Sequence, residues 1–132
     1  MTLYVDASAV IKLYVDERES PEAAELLDAD WVTGRHTLVE VRRALSVALS
    51  GAELEKARQR FVADWRKTDV IELDQVTCDR AARLAEETGS RALDALHLAA
   101  AERAGRGRLP MVTYDRRLAA AARSLGWTVL GA

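Results

Sequence analysis

The sequence predicts an α/β sandwich in which a parallel sheet carries helices on both faces. Two observations lead there. Short apolar runs alternate along the whole chain with longer segments of helical periodicity, and helix punctuation, an N-terminal cap or a terminal glycine, separates many of them. Strands divided by helices are joined by crossovers, which makes them parallel and buries the sheet on both sides.

The strand candidates, in chain order, are Leu3–Asp6, Asp30–Thr33, Val70–Leu73, Met111–Tyr114 and Thr128–Leu130. Among the helical stretches, Ser20-Pro21 reads as an N-cap followed by proline at the first helical position. Gly51, Gly89, Gly105 and Gly126 each follow a helical run, where C-terminal glycines belong. Thr37–Ser50 and Glu53–Lys67 are the longest helices, and Leu54, Ala57, Phe61 and Trp65 form the apolar stripe of the second. The run Arg91–Ala101 (RALDALHLAAA) is a strong helix former and apolar almost all round. No repeat, linker or low-complexity tract interrupts the pattern, so residues 1–132 are read as one domain.

The totals narrow the function. Net charge is −2, so the molecule as a whole has no basic field and an anionic substrate needs a local positive patch. The basic residues are three lysines and sixteen arginines, a bias that suits bidentate phosphate contacts and that a GC-rich genome also produces. A single cysteine, Cys78, excludes an internal disulfide and a cysteine metal cluster. The two histidines, His36 and His97, stand far apart in the chain, which argues against zinc. No apolar run reaches the roughly 20 residues of a membrane span, and a soluble, cytoplasmic protein is expected.

Four acids stand in unexpected places. Asp6 and Asp115 finish two apolar strands, at the edge of the sheet where α/β ligands bind; either one also suits a helix N-cap. Glu40 falls between Ala44 and Val47 on its helical wheel, at the side of the apolar arc, where it reads equally as an exposed partner of Arg43. Asp94 opens the greasy Arg91–Ala101 helix, where the helix dipole accepts an anion. Together they suggest convergence. Four clustered carboxylates repel one another unless a cation fills the space. Oxygen ligands without histidine or cysteine select Mg²⁺ or Mn²⁺, as one or two ions, and such a site performs phosphodiester chemistry through a metal-activated water. Ser8 and Thr113 stand close enough to Asp6 and Asp115 to support them. His97 shares its face with Leu93, Ala100, Ala101 and Ala104 and is read as a core histidine.

Four stretches carry a resemblance: VDASAVIK at Val5–Lys12, EVRRAL at Glu40–Leu45, RALDALHLAAA at Arg91–Ala101 and VTYDRRLAAAA at Val112–Ala122. In this order, over nearly the whole chain, they resemble the PIN-domain ribonucleases, and specifically the VapC-type toxins of bacterial toxin–antitoxin (VapBC) pairs. The resemblance places metal-binding acids at Asp6, Glu40, Asp94 and Asp115. It implies a PIN-like three-layer α/β/α sandwich with a five-stranded parallel sheet in order 3-2-1-4-5. It also implies Mg²⁺- or Mn²⁺-dependent cleavage of RNA, dimerisation, and a small VapB-like antitoxin partner. Residues 15–30 and 105–110 carry no family signature. Basic residues beside the acid motifs, Lys12, Arg35, Arg91, Arg116 and Arg117, are the candidates for phosphate contact.

Other readings are available. A phospho-receiver domain would use Asp74 as acceptor but needs paired acids after the first strand and a lysine after the fifth, and both are missing. A catalytically silent acidic module and an RNA-processing nuclease without an antitoxin share the same fold.

Overall fold

The computed structural model describes all 132 residues. Its five strands are β1 (Thr2–Val5), β2 (Asp30–Gly34), β3 (Asp69–Ile71), β4 (Met111–Thr113) and β5 (Val129–Gly131). They form one parallel sheet in the order β3-β2-β1-β4-β5. The helices are α1 (Ala7–Val10), α2 (Ser20–Leu26), α3 (His36–Ala48), α4 (Gly51–Trp65), α5 (Gln75–Thr88), α6 (Ala92–Gly105) and α7 (Arg116–Ser124), with a 3₁₀ turn over Ile11–Leu13.

Side chains alternate across a strand, and β1 uses both faces. Leu3 and Val5 join Val112 in a core closed by Ala9, Val10, Ala23, Val41, Leu45, Ala57 and Phe61 from α1–α4. Tyr4 points the other way, with Val32 and Met111, into a core closed by residues of α5, α6 and α7. The result is three layers, with the predicted helices on both faces. Along α4 the stripe holds as expected: Ala57 and Phe61 are buried, and Leu54 and Trp65 pack against them.

Local details differ from the sequence reading. Ser20 lies inside α2, and its hydroxyl serves the preceding loop, donating to the Val15 carbonyl and accepting from the Glu17 N–H. Gly51 opens α4. Gly105 closes α6, but the left-handed residue is Arg106 (φ 55°). Gly105 is needed for clearance, because a Cβ there would lie 2.4 Å from Leu109 Cγ. On α6, Leu98 is fully buried whereas Leu93 is 52% exposed. Val47 of α3 is also solvent-facing, since Val41 and Leu45 are the only apolar side chains that helix buries fully. No helix is long and apolar enough to cross a membrane.

A parallel sheet brings all the carboxyl ends of its strands to one edge. The order reverses between β1 and β4, which is where a ligand crevice is expected. By the same order β3 is an edge strand. Asp74, just beyond it, caps α5 through the Thr77 N–H and is held by Arg103. The acceptor role considered for Asp74 is thereby removed.

Candidate active site

Asp6 and Asp115 follow the two central, adjacent strands. Asp6 caps α1, accepting from the Ala9 N–H at 3.1 Å. Asp115 caps α7, accepting from the Arg117 and Leu118 N–H groups. Capping and convergence turn out to be compatible, because each helix begins at the cleft its strand runs into.

Asp6 is almost fully buried and tightly held. Ser8 Oγ approaches both its oxygens (2.8 and 2.9 Å), and Thr113 Oγ1 donates to Oδ2 at 2.8 Å. The two hydroxyls are themselves oriented, Ser8 by the Tyr114 N–H and Thr113 by the Asp115 N–H. Burial pushes the Asp6 carboxyl up, and the charge of His97 with these hydrogen bonds offsets part of that.

Asp94 stands half-exposed in the first turn of α6. Its carboxyl is pushed above the ordinary range first by burial, then by the charge of Asp115, with further contributions from Asp6 and Glu40. The other three predicted acids are thus all near enough to Asp94 for their charges to be felt there. Glu40, Asp94 and Asp115 line one open cleft of ≈ 740 Å³, and Arg91, Arg116 and Arg117 stand on its rim. A concavity of ≈ 620 Å³ lined by Leu27, Trp31 and Asp64 lies at the opposite, amino ends of the strands and holds none of these groups.

The other two basic candidates are engaged elsewhere. Lys12 is buried, paired with Glu17 (2.9 Å) and Glu19 (3.3 Å) and lying over the Tyr114 ring. Arg35 forms a two-pronged pair with Glu72.

The histidines depart most from expectation. His97 is buried, as a core residue would be, yet its Nε2 lies 2.8 Å from Glu40 Oε1 and its Nδ1 2.8 Å from the Tyr4 hydroxyl. His36, remote in sequence, stacks on it with ring centroids 4.0 Å apart. Glu40 is consequently no free partner of Arg43. Burial tends to raise its carboxyl, but the hydrogen bond and charge of His97, with the charge of His36, hold it below the usual value. The His36–Glu40 spacing of four was visible in the sequence; the meeting of Tyr4 with His97, 93 residues away, was not.

A three-layer parallel fold with an acidic cleft at its topological switch point, rimmed by arginine, defines a class of acid-site α/β domains. Comparison narrows the class. The PIN domain family model matches residues 3–124, and the chain belongs to that family. It is 34% identical to Ribonuclease VapC45 of Mycobacterium tuberculosis, over 96% of this chain and 93% of that protein. It is 35% identical to Ribonuclease VapC46 of the same organism, over 97% and 95%. Among solved structures, FitAcB from Neisseria gonorrhoeae superposes with a TM-score of 0.72 over 99% of this chain and 97% of that one, at 17% identity. The M. tuberculosis toxin VapC20 does so with a TM-score of 0.70 over 90% and 94%, at 18% identity. At those identities the structural likeness speaks for the fold.

Proposed function

We propose that the protein is a divalent-metal-dependent endoribonuclease and the toxin of a toxin–antitoxin pair. The observation that carries the reading is the cleft that Glu40, Asp94 and Asp115 line together with Arg91, Arg116 and Arg117. The ribonuclease names of relatives that match nearly end to end support RNA as the substrate.

The donor set of the cleft fits the ion. Asp6, Glu40, Asp94 and Asp115 offer only oxygen, the preference of Mg²⁺ and Mn²⁺, and the Asp94 carboxyl, raised by burial and then by the charge of Asp115, is one whose ionised form a cation would favour. When bound, such an ion neutralises a phosphodiester and makes water a competent nucleophile. The chain's own residues supply the rest. Ser8, Thr113 and the Ala9 N–H fix both oxygens of Asp6. The Arg117 and Leu118 N–H groups hold Oδ1 of Asp115, leaving its other oxygen for the cleft. His97 aims Glu40. Arg91, Arg116 and Arg117 receive the flanking phosphates.

The partner is read as a small antitoxin whose tail blocks the acidic cleft, and the protein as a homodimer. The exposed Val39 and Val47 of α3 supply apolar surface for association.

The test is RNA cleavage with Mg²⁺ or Mn²⁺ against a chelated control, for the protein and for Asp94→Asn. Cleavage that needs the ion and vanishes in the variant is expected; full activity of Asp94→Asn overturns the site. In cells, expression should arrest growth and co-expression of a neighbouring short reading frame should rescue it. Normal growth with active enzyme present refutes the toxin role.

A further inference from the structure

Glu40 faces two ways. On one side it lines the cleft with Asp94 and Asp115. On the other, its Oε1 lies 2.8 Å from His97 Nε2 and 3.8 Å from His36 Nε2. The ligand atoms of these three residues all fall within 4.8 Å of one another, closer than any three of the four acids approach. Two imidazoles and one carboxylate differ in kind from an all-oxygen set.

His36 is the residue left unexplained by the nuclease chemistry. It is only 8% exposed, and neither of its ring nitrogens makes a hydrogen bond. The Leu93 backbone is near the ring but lacks hydrogen-bond geometry. A buried polar group without a partner is costly, and such groups in folded proteins call for a reason.

The ring is also held in place. A Cβ at position 34 would lie 2.7 Å from His36 Nδ1 and Cε1, so Gly34 is the clearance against which the ring packs. Its other neighbour is the stacked His97 ring. Residues 36 and 40 share one side of α3 at a spacing of four, which turns His36 Nε2 toward Glu40. His97 carries the outer partner that metal-bound histidines usually have: its Nδ1 meets the Tyr4 hydroxyl, which also accepts from the Gly34 N–H.

We propose that His36, Glu40 and His97 form a second divalent-metal site, one that takes Zn²⁺ or another nitrogen-preferring first-row ion and competes with the carboxylate centre for Glu40. Three protein ligands with an open fourth position suit Zn²⁺ and disfavour Mg²⁺. Coordination through His97 Nε2 leaves its Nδ1 against the Tyr4 hydroxyl. With Glu40 engaged there, the Mg²⁺ centre loses one of its four acids. The competition, unlike the binding, rests on the proposed nuclease function.

The chain contains only two histidines, so the imidazole ¹⁵N resonances of the untagged protein report on this site alone. Zn²⁺ alone should move the Nε2 signals of both rings into the coordinated range and saturate at one ion per chain. His36→Gln should weaken Zn²⁺ binding by at least about tenfold, the scale that even outer partners of a metal command. Asp115→Asn, which alters only the carboxylate centre, should keep it. Unmoved imidazole signals refute the site, and the wild-type spectrum decides this even if His36→Gln fails to fold. Equal Zn²⁺ affinity in a folded His36→Gln also refutes it. Zn²⁺ at saturation should slow Mg²⁺-driven RNA cleavage by about tenfold or more, on the same scale, and undiminished cleavage overturns the competition. A protein that cleaves no RNA with any ion would refute the nuclease reading while leaving the imidazole result standing.

Discussion

At Asp94 a single carboxylate is set against the stability of the fold. Burial and three neighbouring acids raise its proton affinity, so its ionised form is disfavoured in the folded state relative to the unfolded chain. For an acid with a raised folded pKa, ionisation lowers stability as pH rises above the ordinary value of 3.8. In chelated buffer at neutral pH, Asp94→Asn should therefore melt at a higher temperature than the wild type. The gap should close as pH falls below that value; equal melting at pH 7 would remove the repulsion argument. The same variant should lose RNA cleavage by at least about a hundredfold, at or above the range that outer partners of a metal command. This acid was legible in the sequence because an anion inside a greasy helix is conspicuous. His36 was not, since its surroundings come from Gly34 and His97, and only the fold joins them. The phosphate role considered for Lys12 finds no support in its surroundings for an equally local reason: Glu17 and Glu19 capture its ammonium.

Elements behave as their apolar stripes require, with their ends set by neighbours. Phe61 is the fully buried centre of the α4 stripe, meeting Tyr14 and Trp65 ring to ring. Phe61→Ala should destabilise the protein by about 3–5 kcal/mol, the range for emptying a core aromatic, read as a shifted urea midpoint. The end of α6 obeys a different constraint. Gly105→Ala puts a methyl group into Leu109 and should cost about 1–3 kcal/mol by overpacking; an unchanged midpoint would mean the loop gives way freely. Helical periodicity located α3, α4 and α6 but could not fix which part of the α6 face turns outward. Leu93 sits on the first turn, ahead of the residues that pack on the sheet, and so reaches solvent.

For the molecule as a whole, charge is the governing quantity. A net charge of −2 gives no general attraction for RNA, so the proposed function assigns binding to the few arginines at the cleft. Replacing Arg91 or Arg117 by alanine should weaken RNA binding and lower the salt slope by about 0.7, the contribution of one phosphate contact to a single strand. A slope that stays the same would move the RNA path elsewhere. Millimolar Mg²⁺ should raise the melting temperature of the wild type, because it relieves the crowding at Asp94, and should do so less in Asp94→Asn. The sequence by itself determined the α/β class and the residues able to serve as acid ligands, because alternation, capping and helical periodicity act between near neighbours in the chain. Tertiary structure decided which of them meet. The order β3-β2-β1-β4-β5 sets Asp6 beside Asp115, and the fold brings Glu40 of α3 to His97 of α6. Glu40 thus stands between an acidic cleft and a pair of histidines, since contacts across tens of residues depend on how the sheet is ordered and leave no periodic trace in the chain.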